Sequence, residues 1–151
     1  MPIEQSSSVS SAETGRDPRL LDNPGQLPLT GRTVLIVEDD FLIADDFAAM
    51  LRSAGATVIG PAESLPQAIR MAQSCNSLDC ALLDIDLQGV AVFPLARELR
   101  NAAIPMIFMT GIGCDNIPQE FADILCIGKP TGSCHVAGEL ISLLGLMPGS
   151  V

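Results

Sequence analysis

The stretch Thr33-Val34-Leu35-Ile36-Val37-Glu38-Asp39-Asp40 sets the reading of this chain. Five residues, four of them β-branched and four apolar, form a short run without polar alternation. Such a run suits a strand covered on both faces. Three acidic residues then follow it at once. The same grammar recurs downstream. Thr57 to Gly60 is a short strand; Cys80-Ala81-Leu82-Leu83-Asp84 is apolar and ends on an acid. Ile104 to Met109 is apolar and leads into Thr110 and Gly111, and Ile124 to Ile127 leads into Gly128, Lys129 and Pro130.

Helical patterns lie between these runs. Ile43, Phe47, Met50, Leu51 and Ala54 share one face of a first helix, and Gly55 stops it. Leu65, Ala68, Ile69 and Ala72 give a second helix over 64–74; Phe93, Leu95, Ala96 and Leu99 give a third over 90–101. Residues 116–121 leave room for only a short or distorted fourth helix, with Pro118 inside it, and 133–144 form a fifth. Five strands alternating with helices imply parallel pairing in an α/β, doubly wound sheet with helices on both faces. The expected organisation is an arm over 1–30, Ser-rich and holding four prolines, a folded domain over 31–147, and a tail over 148–151. Leu20 and Leu21 are a candidate weak docking spot within the arm.

The totals narrow the function classes. The chain has 151 residues, a formal net charge of −10 and only eight Lys and Arg, which disfavours nucleic acid as a partner. It has neither Trp nor Tyr to stack bases. No apolar stretch approaches the ~20 residues of a membrane span, and no secretory signal is expected. Five cysteines without a C-x-x-C argue against a disulfide framework or a zinc knuckle and suit a cytoplasmic protein. His135 is the single histidine.

In doubly wound sheets the chemistry gathers beyond the carboxyl ends of the strands. Glu38, Asp39, Asp40, Asp84, Asp86, Thr110 and Lys129 all fall on that edge. Carboxylates crowded on one rim call for a cation, and oxygen ligands favour Mg²⁺, with Mn²⁺ as its substitute. A lysine and a hydroxyl beside them complement a phosphoryl group. A carboxylate so placed can act as the nucleophile and form an acyl phosphate. Each residue alone has a plainer reading: Asp39 or Asp40 as a helix cap, Thr110 as a loop residue, Lys129-Pro130 as a turn. It is the ordered set, each member ending its own strand, that points to a site.

With these motifs in hand, the chain resembles the receiver domain of two-component response regulators over about residues 32–146. The carriers are Val34 to Asp40, Ala81 to Leu87, Ile107 to Gly111 and Gly128 to Pro130. The resemblance implies a flavodoxin-like receiver fold acting as a stand-alone regulator in a phosphorelay. Asp84 would be the phosphoacceptor. Glu38, Asp39, Asp84 and the backbone carbonyl of Asp86 would bind Mg²⁺. Lys129 would pair with the phosphoryl group, Thr110 would report it, and the Lys129-Pro130 peptide would be cis. The implied donor is a histidine kinase or histidine phosphotransfer protein. Output would pass to an unidentified protein partner or onward by relay, and a homodimer is compatible with this. The domain would act on its own aspartate rather than as a turnover enzyme. Asp86 and Ile112 occupy positions that tune loss of the phosphoryl group in the family.

The sequence also departs from the family pattern. Cys126 stands where an aromatic switch residue is usual, and simple packing is its expected role, with no redox function for any thiol. Two other readings compete. A haloacid dehalogenase-type phosphatase would use Asp84 and Asp86, but its further acidic pair should follow the lysine, whereas here the acids precede it. A receiver-like binding module would never take up phosphate.

Overall fold

The structure, a computed structural model, describes residues 26–129 and 131–146. Its first strand, β1 (Thr33–Val37), leads into helix α1 (Phe41–Ser53), then β2 (Thr57–Ala62) and α2 (Leu65–Ser74). Next come β3 (Cys80–Asp84), a two-stranded hairpin of β4 (Asp86–Leu87) and β5 (Val90–Ala91), and α3 (Phe93–Asn101). The chain then runs through β6 (Met106–Thr110), a 3₁₀ turn (Gln119–Phe121), β7 (Cys126–Gly128) and α4 (Ser133–Leu143). The main sheet has the order β2-β1-β3-β6-β7, and each of its neighbouring pairs is parallel. The strand order reverses between β1 and β3, so a crevice opens beyond their carboxyl ends.

The apolar runs work as a two-faced strand must. Side chains alternate across a strand, so one face takes odd positions and the other even ones. Val34 and Ile36 of β1, Cys80 and Leu82 of β3, and Ile107 and Met109 of β6 pack with Phe47 and Leu51 of α1 and Val136 and Leu140 of α4. Leu35, Val37, Ala81, Leu83 and Phe108 face the other way, onto Ala68 of α2, Leu95 and Leu99 of α3, and Phe121. Every residue of β3 and β6 is buried. Covering helices on both faces remove any need for polar alternation.

Three boundaries differ notably from the sequence reading. Residues 27–30, assigned to the arm, form a turn on the domain, with Leu29 fully buried and its N–H donated to the Ala54 carbonyl at 2.8 Å. Gly55 stands at φ +102°, and a Cβ there would meet Thr30 Oγ1 at 2.7 Å, so glycine both ends α1 and admits this turn. The third helix begins at Phe93, not Val90. Gln88 and Gly89, at φ 55° and 90°, make a two-residue hairpin turn that spends Val90 and Ala91 on β5. β2 runs on past Gly60 to Ala62, through an irregularity in its register with β1.

The short fourth helix is borne out as one 3₁₀ turn. Pro118 caps its start without a side-chain hydrogen bond. Arg97 and Arg100 of α3 hold the turn down. Arg97 forks Glu120 (Nη2 to Oε2 2.8 Å), Arg100 reaches Asp123 at 2.8 Å, and both guanidinium groups lie over the Phe121 ring. Phe121 itself stacks on Phe93 and meets Phe108 edge-on. Among the described residues no helix is long and apolar enough to cross a membrane.

Candidate functional site

β1 and β3 deliver their terminal acids to one point because they are hydrogen-bonded neighbours in register, Val37 beside Leu83. Glu38 and Asp84 follow those partners directly, and both are buried, as is Thr110 at the end of β6. These are the three buried polar residues of the described core. Glu38, Asp39 and Asp84 each offer a carboxylate oxygen, all within 4.8 Å of one another. Lys129, just beyond β7, reaches across the crevice. Its Nζ lies 2.7 Å from Glu38 Oε1 and 3.2 Å from Asp84 Oδ2. The Lys129 N–H donates to the Thr110 carbonyl at 2.7 Å, which fixes the lysine's root beside the hydroxyl.

The electrostatics follow from burial and from this crowding. Burial, and then the neighbouring Glu38 charge, push the Asp84 carboxyl up to about 7 against the opposing pull of Lys129. Burial draws the Lys129 ammonium down, but pairing with Glu38 and Asp84 outweighs it and leaves the group above the ordinary lysine value. One lysine thus serves two buried carboxylates, with Asp39 alongside as a third acid. Glu38 Oε1 makes its ion-pair contact yet has no hydrogen-bond donor in line. An all-oxygen donor set, short of positive charge and with an unfilled buried acceptor, fits a hard divalent cation such as Mg²⁺.

Other sequence-nominated residues fall into place around this centre. Asp40 is the α1 cap: its Oδ1 accepts the N–H groups of Leu42 and Ile43 at 3.0 and 3.2 Å. The plain reading therefore holds for Asp40, while Asp39 joins the cluster. The Asp86 carboxylate is exposed and accepts the Gly89 N–H at 2.7 Å, closing the hairpin, and the Asp86 N–H donates to Asp84 Oδ1 at 3.3 Å. Thr110 Oγ1 accepts the Ile112 N–H at 3.2 Å. Gly111 and Ile112 begin the exposed connection after β6, and the Ile112 side chain is 79% exposed. Pro130, and with it the expected cis Lys129-Pro130 peptide, lies outside the described residues, as do Leu20 and Leu21.

Cys126 is the clearest correction. It is not a simple packing residue: it forms a disulfide with Cys114, with Cα atoms 6.1 Å apart. The sequence reading missed Cys114 altogether. The two stand twelve positions apart, and no spacing motif marks them.

Fold and site together define an α/β signalling-type domain with an acidic crevice and one lysine at its topological switch point. The chain belongs to the response regulator receiver domain family, which it matches over residues 34–124. Members of this family are phosphoacceptor signalling modules and generally not turnover enzymes, which counts against the phosphatase reading. No curated protein sequence matches the chain. Among solved structures it is similar to SdrG from Sphingomonas melonis Fr1, with 32% identity and a TM-score of 0.66 over 78% of this chain and 98% of that one. It is also similar to the response regulator PhyR from Brucella abortus (25% identity, TM-score 0.65, 78% of this chain and 50% of that one). The anti-anti-sigma factor PhyR from Bartonella quintana gives 27% identity and a TM-score of 0.62, over 75% of this chain and 47% of that one. The chain thus spans nearly all of SdrG and about half of either PhyR.

Proposed function

We propose that the chain is a phosphorelay receiver in which Asp84 accepts a phosphoryl group from a phosphohistidine on a histidine kinase or histidine phosphotransfer protein. The observation that carries this reading is the convergence of Glu38, Asp39 and Asp84 oxygens within 4.8 Å with the Lys129 ammonium between two of them. An Asp84 carboxylate oxygen attacks phosphorus, the P–N bond to the imidazole breaks, and an acyl phosphate forms. Glu38, Asp39, Asp84 and the Asp86 carbonyl would hold Mg²⁺, which supplies charge neutralisation for the transferring group. Lys129 moves its pairing from the Asp84 carboxylate to the phosphoryl oxygens. Thr110, now engaged by the Ile112 N–H, donates its hydroxyl to one of them. Output passes by protein contact or by onward relay, within the cytoplasm. The domain promotes its own phosphorylation and dephosphorylation. The Asp86 charge and the Ile112 side chain slow attack by water, so the phospho-form is long-lived.

The test is mass spectrometry of the chain after acetyl phosphate and Mg²⁺. One phosphoryl mass is expected on wild type and none on Asp84→Asn. No gain on wild type, or an equal gain on the variant, defeats the reading. For the lifetime, Asp86→Asn and Ile112→Glu should each shorten the decay; a half-life of seconds unchanged by both would refute it.

A further inference from the structure

The connection from β6 to the 3₁₀ turn, residues 111–118, carries Thr110 at its root. Among the described residues it is sparsely tied. The Ile112 N–H is donated back to Thr110 Oγ1, and Ile117 packs on the core at the far end. Between them Cys114 is exposed and bonded to Cys126, which lies on β7 in register with Phe108 of β6. The disulfide therefore pins the tip of the connection to the edge strand of the sheet. The remaining thiols are poor rivals for this pairing. Cys80 is fully buried, with its thiol pushed up to about 12 by burial, Cys75 ends α2, and Cys134 is exposed on α4.

We infer that Cys114 and Cys126 form a reversible dithiol–disulfide latch that fixes the 111–118 connection against β7, and that opening it releases the Thr110 hydroxyl. A Cα separation of 6.1 Å lies within the range a disulfide spans, so the pair can close without moving the sheet. The oxidant class is a low-molecular-weight disulfide. The exposed Cys114 thiolate attacks one of its sulfurs, one small thiol leaves, and a mixed disulfide forms. Cys126 then gives up its proton and attacks Cys114 Sγ, and the second small thiol leaves. Two protein thiols are oxidised, one small disulfide is reduced to two thiols, and excess thiol runs the exchange backwards. In the closed form the connection holds the Ile112 N–H on Thr110 Oγ1. In the open form the hydroxyl is free to turn toward Asp84. The latch stands on the cysteine geometry alone; its consequence at Asp84 rests on the phosphoacceptor reading.

The test uses the full chain poised in oxidised or reduced glutathione. Peptides are mapped without reduction after cleavage at Glu120, which separates the two cysteines. Hydrogen exchange follows residues 111–118, and acetyl phosphate with Mg²⁺ reports phosphorylation. A Cys114–Cys126 linked peptide should form under oxidised glutathione and disappear with dithiothreitol. On reduction, amides of 111–118 should exchange at least tenfold faster and phosphorylation should rise at least threefold. Cys114→Ser should behave as the reduced form under both conditions, and Cys134→Ser as wild type. Absence of the linked peptide, its failure to reverse, or equal exchange in both states overturns the latch. A difference in exchange with equal phosphorylation overturns the link to Thr110. No phosphorylation in either state overturns the phosphoacceptor reading, while mapping and exchange still decide the latch.

Discussion

Replacing Asp84 by asparagine should stabilise the domain when no divalent cation is present. The carboxyl is buried beside Glu38, and burial with that charge raises it from 3.8 to about 7. At about 1.4 kcal/mol per pKa unit, a shift of this size sets a ceiling of about 4 kcal/mol on the cost of ionising it in the fold. Lys129 opposes part of this cost and would lose a partner on substitution, so about 2 kcal/mol is the share that one substitution recovers. The amide keeps the shape, and its single oxygen can still accept from the Asp86 N–H, which now bonds Asp84 Oδ1. For a domain of this size, melting should rise by about 6–10 °C at pH 7.5 in EDTA.

The pH dependence fixes the cause. The folded-state pKa lies above the unfolded one, so the folded protein binds the extra proton. Wild-type stability from this group is fully present below about pH 4 and is lost as pH rises through about 7. The asparagine variant has no such titration. The difference in melting temperature should shrink toward zero at about pH 4 and reach its full size above about pH 7. Magnesium should raise the wild-type melting point and act much less on the variant. A neutral or destabilising Asp84→Asn in EDTA, or a difference that stays flat between those pH values, would refute charge crowding as the organising feature of the site.

Three further outcomes follow from the same contacts. Lys129→Ala removes the cation from two buried carboxylates and should cost about 3 kcal/mol in EDTA by chemical denaturation, with Mg²⁺ recovering most of it. Phe121→Ala empties the ring stack with Phe93 and Phe108 and should cost about 3–4 kcal/mol, with faster proteolysis of the 3₁₀ turn as a second readout. Leu29→Ala should cost about 2–3 kcal/mol by urea denaturation, because its side chain lies in the core beneath α1; a neutral result would return residues 27–30 to the arm.

Much of the architecture could be read from local chemistry. The runs Val34 to Val37 and Cys80 to Leu83 carry no polar residue, so burial on both faces was the one consistent assignment. Residues 116–121, with Pro118 among them, left room for only a short or distorted fourth helix. Errors arose where a turn decided between two local options. Val90 and Ala91 are compatible with a helix start, and it is the Gln88–Gly89 turn, locked by Asp86, that makes them a strand.

The sequence alone determined that Glu38, Asp84, Thr110 and Lys129 would meet. Each closes a strand or directly follows one, parallel strands present the same end to one edge, and adjacency in the sheet does the rest. Only the tertiary structure separated equivalent neighbours: Asp40 onto the α1 cap, Asp39 into the acidic cluster, Asp86 into the hairpin. It alone gave Lys129 two carboxylate partners, and it alone joined Cys114 to Cys126. Those choices depend on distances of a few ångströms between segments far apart in the chain, which side-chain periodicity does not encode.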